Sequence, residues 1–257
     1  MKLSMKTPSR LDAFLEVPLR VFAHARSLNF AAQGLFLHSL SQLVAKRAYS
    51  LYPAADVRKI IRREAFQFHR EDIHRITAGI YPLEVLRPEP LPRHLGRIPH
   101  VFLDGLRIAR RRNRHRTTEF SKEARSFVDE LPKYYRRNFH FQTDGYLSKE
   151  SADLYEHQVE VLFGGMADAM RRLIIEPLKK HFKSSDGSGL TFLEIGCGTG
   201  RATRFAHLAF PKAKIIAVDL SEPYLKAAQK KLSNLNHVNF LQADGTNLPF
   251  EKESFDA

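Results

Sequence analysis

The stretch LEIGCGTGRATR, residues 193–204, places glycine at positions 196, 198 and 200 directly after a short apolar run. Glycines at alternate positions let the backbone turn tightly and let a ligand come close to the main chain. The preceding LTFLEI reads as a short buried strand, and the following RATRFAHLAF reads as a helix. A strand feeding a glycine turn and then a helix makes an anion- and nucleotide-accepting corner, because the free N–H groups of the helix start face outward. The alternation continues with AKIIAVDL as a strand, SEPYLKAAQKKLSNL as a helix and VNFLQAD as a third strand. Ser221 is placed to cap the second helix, with Pro223 in its first turn. Strand–helix–strand–helix–strand with short loops demands right-handed crossovers and a parallel sheet. LPFEKESFDA then stops where a fourth strand would begin. The expectation is an α/β domain cut after its third strand, since three strands alone leave a hydrophobic edge unpaired.

Not every nucleotide loop fits these residues. The dinucleotide fingerprint G-x-G-x-x-G wants glycine at 201, where Arg201 stands, and a Walker loop fails because no Gly-Lys-Ser/Thr follows. Instead, Glu194-x-Gly196-x-Gly198-x-Gly200 resembles motif I of the class I S-adenosylmethionine-dependent methyltransferases. IIAVDLSEPYL is similar to their second motif, and LQADGTNLPFEKESFDA to the next two. The wording is most like the ubiquinone/menaquinone-biosynthesis group, methyltransferase type 11/25, and spans residues 188–257.

That resemblance implies a Rossmann-like parallel-sheet fold, S-adenosyl-L-methionine as cofactor, and methyl transfer to a small-molecule acceptor. It implies that Gly196, Cys197, Gly198 and Gly200 form the cofactor loop. Asp219 would accept hydrogen bonds from the ribose hydroxyls. Asp244 would accept from the adenine amino group, with Ala243 and Gly245 keeping the pocket slim and Leu220 covering the adenine. Glu194 would hold the glycine turn by backbone N–H bonds or meet the cofactor's ammonium. No catalytic base is assigned, because the family's acceptor-side residues mostly follow the fourth strand. Cys197 reads as a small residue in a cramped loop, since no base accompanies it. The twelve histidines show no metal spacing, and no metal is expected.

Upstream the texture differs. Residues 1–133 read as a basic, mainly helical region with an extended, proline-rich connector near 82–99, where Pro82, Pro88, Pro90, Pro92 and Pro99 crowd the chain. Residues 134–187 read as a helical lead-in, and 188–257 as the methyltransferase-like segment. The lead-in holds an Asp144-Gly145 turn, a helix capped at Ser148, a break at Gly164-Gly165, and a second helix kinked or restarted at Pro177. FHFQTDGYLSKESADLYEHQVEVLFGG also resembles the lead-in of some bacterial members. Tyr146 and Tyr155 read as core, with contact to the cofactor tail or acceptor as the alternative.

Charge divides the chain in the same way. Residues 1–140 hold 27 Lys/Arg against 13 Asp/Glu, whereas residues 141–257 hold 14 against 15. The run RIARRRNRHR, residues 107–116, admits two readings. A solvated surface is favoured, and a footprint for RNA is the rival, which would make the chain an RNA methyltransferase or RNA-binding protein. A third reading is a non-catalytic nucleotide-binding module or truncated fragment. One cysteine excludes a disulfide framework, and no window reaches the apolar length of a membrane span. A cytoplasmic protein is expected.

Overall fold

A computed structural model describes residues 10–44, 55–113, 119–129, 131–136, 142–182, 184 and 186–257. Helices come first, as the apolar spacing requires. Helix α1 (Arg10–Val44) packs against α2 (Ala55–Thr77) and α3 (Leu91–Asn113).

The region 82–99 departs from the expected extended connector. A 3-10 turn at Leu83–Leu86 leads into α3, which already begins at Leu91. The positions of the prolines explain the difference. Pro90 lies just outside the helix, and its carbonyl accepts the N–H groups of Arg93 at 3.0 Å and His94 at 3.1 Å. Pro92 lies in the first turn, where an N–H has no intrahelical partner to lose. Only Pro99 is interior. Its cost, about 3 kcal/mol, is outweighed by burial of Val101, Ile108 and Ala109 along the helix at about 0.8 kcal/mol per methylene.

Short helix α4 (Lys122–Val128) precedes the turn at Asp144-Gly145, where both residues take positive φ of 64° and 57°. Helix α5 (Lys149–Leu162) starts as expected. The Ser148 hydroxyl accepts the Ser151 N–H at 3.1 Å, filling one of the orphan donors of the first turn. Gly164 and Gly165 end it, and α6 (Ala167–Arg172) and α7 (Ile175–His181) follow. Pro177 lies in the first turn of α7, so the helix restarts there.

The sheet comprises β1 (Thr191–Ile195), β2 (Lys214–Asp219) and β3 (Val238–Gln242), all parallel in the order β1-β2-β3. Helix α8 (Arg201–Ala209) makes the first crossover and α9 (Glu222–Lys231) the second. Ser221 caps α9 by accepting the Tyr224 N–H at 3.2 Å. The register pairs Ile195 with Val218 and Asp219 with Gln242, so the carboxyl ends of the strands lie along one edge. The other side of β1 meets the last residues of the chain: Leu193 N–H donates to the Ala257 carbonyl at 2.8 Å, and Asp256 N–H to the Thr191 carbonyl at 2.9 Å.

One hydrophobic cluster joins the helical and α/β parts. Ala23, Ile73, Ile76, Tyr81 and Val85 pack with Phe192, Phe205, Phe210, Ala213 and Ile215. Buried ion pairs run alongside it. Arg172 of α6 donates to Asp72 of α2 from Nε at 3.1 Å, and their side chains are only 4% and 2% exposed. The Asp168 carboxylate accepts from Arg201 Nε at 2.9 Å, Arg26 Nη2 at 3.2 Å and Arg171 Nη1 at 3.4 Å. Burial by itself would raise the Asp168 pKa, but the Arg201 guanidinium, with Arg26 and Arg172, outweighs it and holds the carboxyl well below the usual range. No helix among the described residues is long and apolar enough to cross a membrane.

Candidate functional site

The glycine turn sits at the carboxyl ends of β1 and β2. Gly196, Gly198 and Gly200 take φ of 75°, 56° and 78°, a region that costs most other residues energy. The turn is closed by backbone bonds: the N–H groups of Gly196 and Cys197 both donate to the Val218 carbonyl, at 2.7 and 2.9 Å, and Gly200 N–H donates to the Cys197 carbonyl at 2.9 Å.

The three glycines serve different ends. A Cβ built on Gly196 would meet nothing within 4 Å, and one on Gly198 only Tyr224 at 3.9 Å, so bare backbone there borders open space. A Cβ on Gly200 would lie 2.7 Å from Leu232 Cδ1 and 3.2 Å from Ala228 Cβ. Gly200 is therefore bare so that the start of α8 can pack against the end of α9.

That open space is a cleft of about 250 Å³ lined by Gly196, Gly198, Asp219, Leu220, Ala243 and Gly245 on one side. Ile195 and five tyrosines supply the rest: Tyr134, Tyr135, Tyr146, Tyr155 and Tyr224. Tyr224 is fully buried, its hydroxyl receiving Gln142 Nε2 at 2.8 Å and lying 3.0 Å from Ser151 Oγ. Its ring meets those of Tyr146 and Tyr155 edge-on, each at 5.2 Å.

Asp219 turns toward the loop. Oδ2 accepts the Gly198 N–H at 2.7 Å and Oδ1 the Ser221 N–H at 2.8 Å. Burial raises its pKa, and those donors oppose the rise. Asp244 lies beside the cleft, half-buried. Its Oδ1 accepts from Tyr134 Oη at 2.7 Å and from Thr246 N and Oγ1 at 2.8 and 2.7 Å, bonds that lower its pKa.

Of the residues singled out from sequence, Gly196, Gly198, Asp219, Leu220 and Ala243 line the cleft together, and Asp244 stands beside it. Glu194, Cys197 and Gly200 lie behind the loop. Glu194 does not make the backbone bonds to the glycine turn. Its Oε2 accepts from Thr203 Oγ1 of α8 at 2.7 Å, and burial pushes its pKa up to about 7. Cys197 packs in a small core with Ala217 and Leu225, where burial drives the thiol far above its ordinary pKa, as suits a structural side chain.

Tyr146 and Tyr155 are half-buried in the wall of the cleft. Tyr134 and Tyr135 escaped the sequence reading altogether. The only signal for them was the density of aromatics in KYYRRNFHFQTDGY, and spacing alone does not say that Tyr134 and Tyr135 line the cleft. In the basic run, Arg107 pairs with Glu150 at 3.1 Å, and buried Arg111 donates to the Gln142 carbonyl at 3.1 Å and to Thr143 Oγ1 at 3.2 Å. These two arginines fasten α3 to the lead-in. The side chains of residues 112–116 lie outside the described residues.

Residues 192–257 match a family model described as a methyltransferase domain. Three curated relatives resemble the chain. The malonyl-[acyl-carrier protein] O-methyltransferase of Halalkalibacterium halodurans is 30% identical over 42% of this chain and 41% of its own length. The demethylmenaquinone methyltransferase of Clavibacter sepedonicus is 40% identical over 27% of this chain and 28% of its own. The ubiquinone/menaquinone biosynthesis C-methyltransferase of Pseudomonas fluorescens is 33% identical over 40% and 39%. The chain thus spans less than half the length of each of these relatives. The motif order and the parallel sheet agree with this match, and residues 192–257 are similar to the class I S-adenosylmethionine-dependent methyltransferases, the ubiquinone/menaquinone-biosynthesis group among them.

Proposed function

We propose that this chain binds S-adenosyl-L-methionine in the tyrosine-lined cleft and serves methyl transfer to a small-molecule acceptor. The observation that carries the reading is the Asp219 carboxylate, held 2.7 Å from the Gly198 N–H at the mouth of a loop whose first two glycines border open space. A buried acceptor at a strand tip beside bare backbone suits a ribose diol. Leu220, Ala243 and Gly245 offer a slim, largely apolar wall for a flat base. When bound, the cofactor supplies a methyl group on a cationic sulfur that is already an excellent leaving group.

The protein's part is then to bind, orient and exclude water, effects together worth up to about 7–11 kcal/mol of a barrier. Asp219 and the loop fix one end of the cleft, while Tyr146, Tyr155 and Tyr224 form a rigid aromatic wall that keeps bulk water from the other. The phenols of Tyr146 and Tyr155 are pushed up by burial, so they remain protonated donors at neutral pH. The small-molecule class of the acceptor is supported by a relative whose name gives demethylmenaquinone as its substrate. A cytoplasmic setting fits the single, buried, unpaired cysteine.

Titration calorimetry with S-adenosylmethionine tests the assignment. Asp219→Ala removes charge-assisted bonds to the ligand and is expected to weaken binding roughly 100-fold or more. Unchanged affinity in that variant would overturn it.

A further inference from the structure

The polarity of helix α1 is inverted. Its polar side chains face the protein: Arg26 donates to the Gly165 carbonyl at 2.8 Å and pairs with Glu160 at 2.8 Å, and Ser27 Oγ lies 3.0 Å from His69 Nε2. Gln33 Oε1 lies 2.7 Å from His157 Nε2 on α5. The face turned outward is apolar instead. Val17, Val21, Leu28 and Leu35 recur at whole turns of the helix and are exposed, Leu28 by 72%. From 17 to 43, no exposed position carries a charge. A helix facing water places these two sets the other way round.

Helix α2 adds cations beside this stripe. In its first half Val57, Ile60, Ile61 and Phe66 are exposed together with Lys59, Arg62 and Arg63. Among the described residues, Lys59, Ile60, Arg62, Arg63 and Phe66 line a groove of about 580 Å³. The Phe66 ring stacks on that of His24 at 4.7 Å. His24 lies one turn after Val21 and one turn before Leu28, so the groove borders the stripe. We propose that the outer face of α1 and the cationic first half of α2 rest together on an anionic membrane surface. The apolar side chains enter the acyl boundary, and the cations meet lipid phosphates.

Area and charge together favour lipid over other occupants. A stripe from 17 to 43 is about 40 Å long and about 10 Å wide. That is about 400 Å² per copy, half of the roughly 800 Å² a side that a stable dimer buries. An interfacial helix needs no such area, because apolar insertion and attraction of Lys and Arg to anionic lipid act together. A nucleic acid would satisfy the cations and leave the uncharged stripe in water. Because the inner face of α1 is committed to polar contacts within the protein, the helix lies along the surface and not across it.

The test is sedimentation of the 257-residue chain with phosphatidylcholine vesicles, with and without phosphatidylglycerol. Binding is expected with the anionic vesicles, weakening as salt rises. Leu28→Glu combined with Leu35→Glu should bind roughly 100-fold more weakly. Lys59→Glu combined with Arg62→Glu should lose roughly tenfold or more. Lys230→Glu with Lys252→Glu changes the charge equally at exposed positions elsewhere and should bind like the parent. All the substituted side chains are exposed or line the open groove, so thermal melts should match the parent's and exclude unfolding as the cause. No binding by the unaltered chain, full binding by the leucine variant, or equal losses from the two lysine-bearing pairs overturns the proposal. A dimer that the leucine variant splits, without vesicle binding, gives the face to a second copy and overturns it as well.

Discussion

The helical region before residue 187 and the α/β segment after it are held together by different means. In the α/β segment, backbone ladders set the register, and glycine at 200 lets α8 meet α9. In the helical region, side chains do this work. Asp72–Arg172 and the arginines around Asp168 join α1, α2, α6 and α8 through carboxylates removed from water. Pairs of this kind add little net stability over an apolar equivalent, yet losing one partner is costly because a bare charge stays buried. The lesson is that the basic excess of the first 140 residues is partly structural. Arg26 and, within the basic run, Arg111 are spent on such internal contacts.

The largest expected effect probes that difference. Asp72→Ala strands Arg172 and leaves the Tyr81 hydroxyl without its acceptor, and should cost about 3–5 kcal/mol in urea unfolding. Because the hydrophobic cluster joins Ile73 and Tyr81 to Phe192 and Phe205, the loss should appear as one transition. Hydrogen exchange that leaves the β1–β3 amides fully protected while the helices open would break the picture of a shared core.

Gly200→Ala tests the other side. It forces a Cβ into positive φ and to 2.7 Å from Leu232, at about 2–4 kcal/mol. A thermal melt within a degree of the unaltered chain would mean that α9 shifts freely.

Glu194→Gln sharpens the comparison at a single buried acid. Its folded pKa, about 7, lies above the ordinary 4.5. Below pH 4.5 the carboxyl is protonated whether folded or not, and it costs nothing. Between 4.5 and 7 the folded state binds more protons, so stability falls as pH rises, by up to about 3 kcal/mol at pH 8. The glutamine variant should equal the parent near pH 4 and exceed it by that amount at pH 8. Parallel stability–pH curves for the two proteins would refute a buried, proton-holding Glu194.

Much of this was legible in the sequence, for local reasons. The strands, the glycine turn, the Ser148 and Ser221 caps and the restart at Pro177 each depend on a few neighbouring residues, so spacing and turn chemistry reveal them. The helix within 82–99 is not legible from proline count, because proline position decides it: Pro92 falls in the first turn of α3 and only Pro99 in its interior. Glu194 bonds to Thr203 on the next helix, a contact between elements that the motif does not specify.

By itself, then, the sequence determined the parallel order of strands and the acid that ends β2 beside three glycines, because both follow from periodicities within a few dozen residues. The tertiary structure alone decided what faces that acid. Tyr135 lines the same cleft from 84 positions away along the chain, and Tyr134 is 110 from Asp244. Contacts at such separations arise from packing of whole elements, which no local pattern encodes.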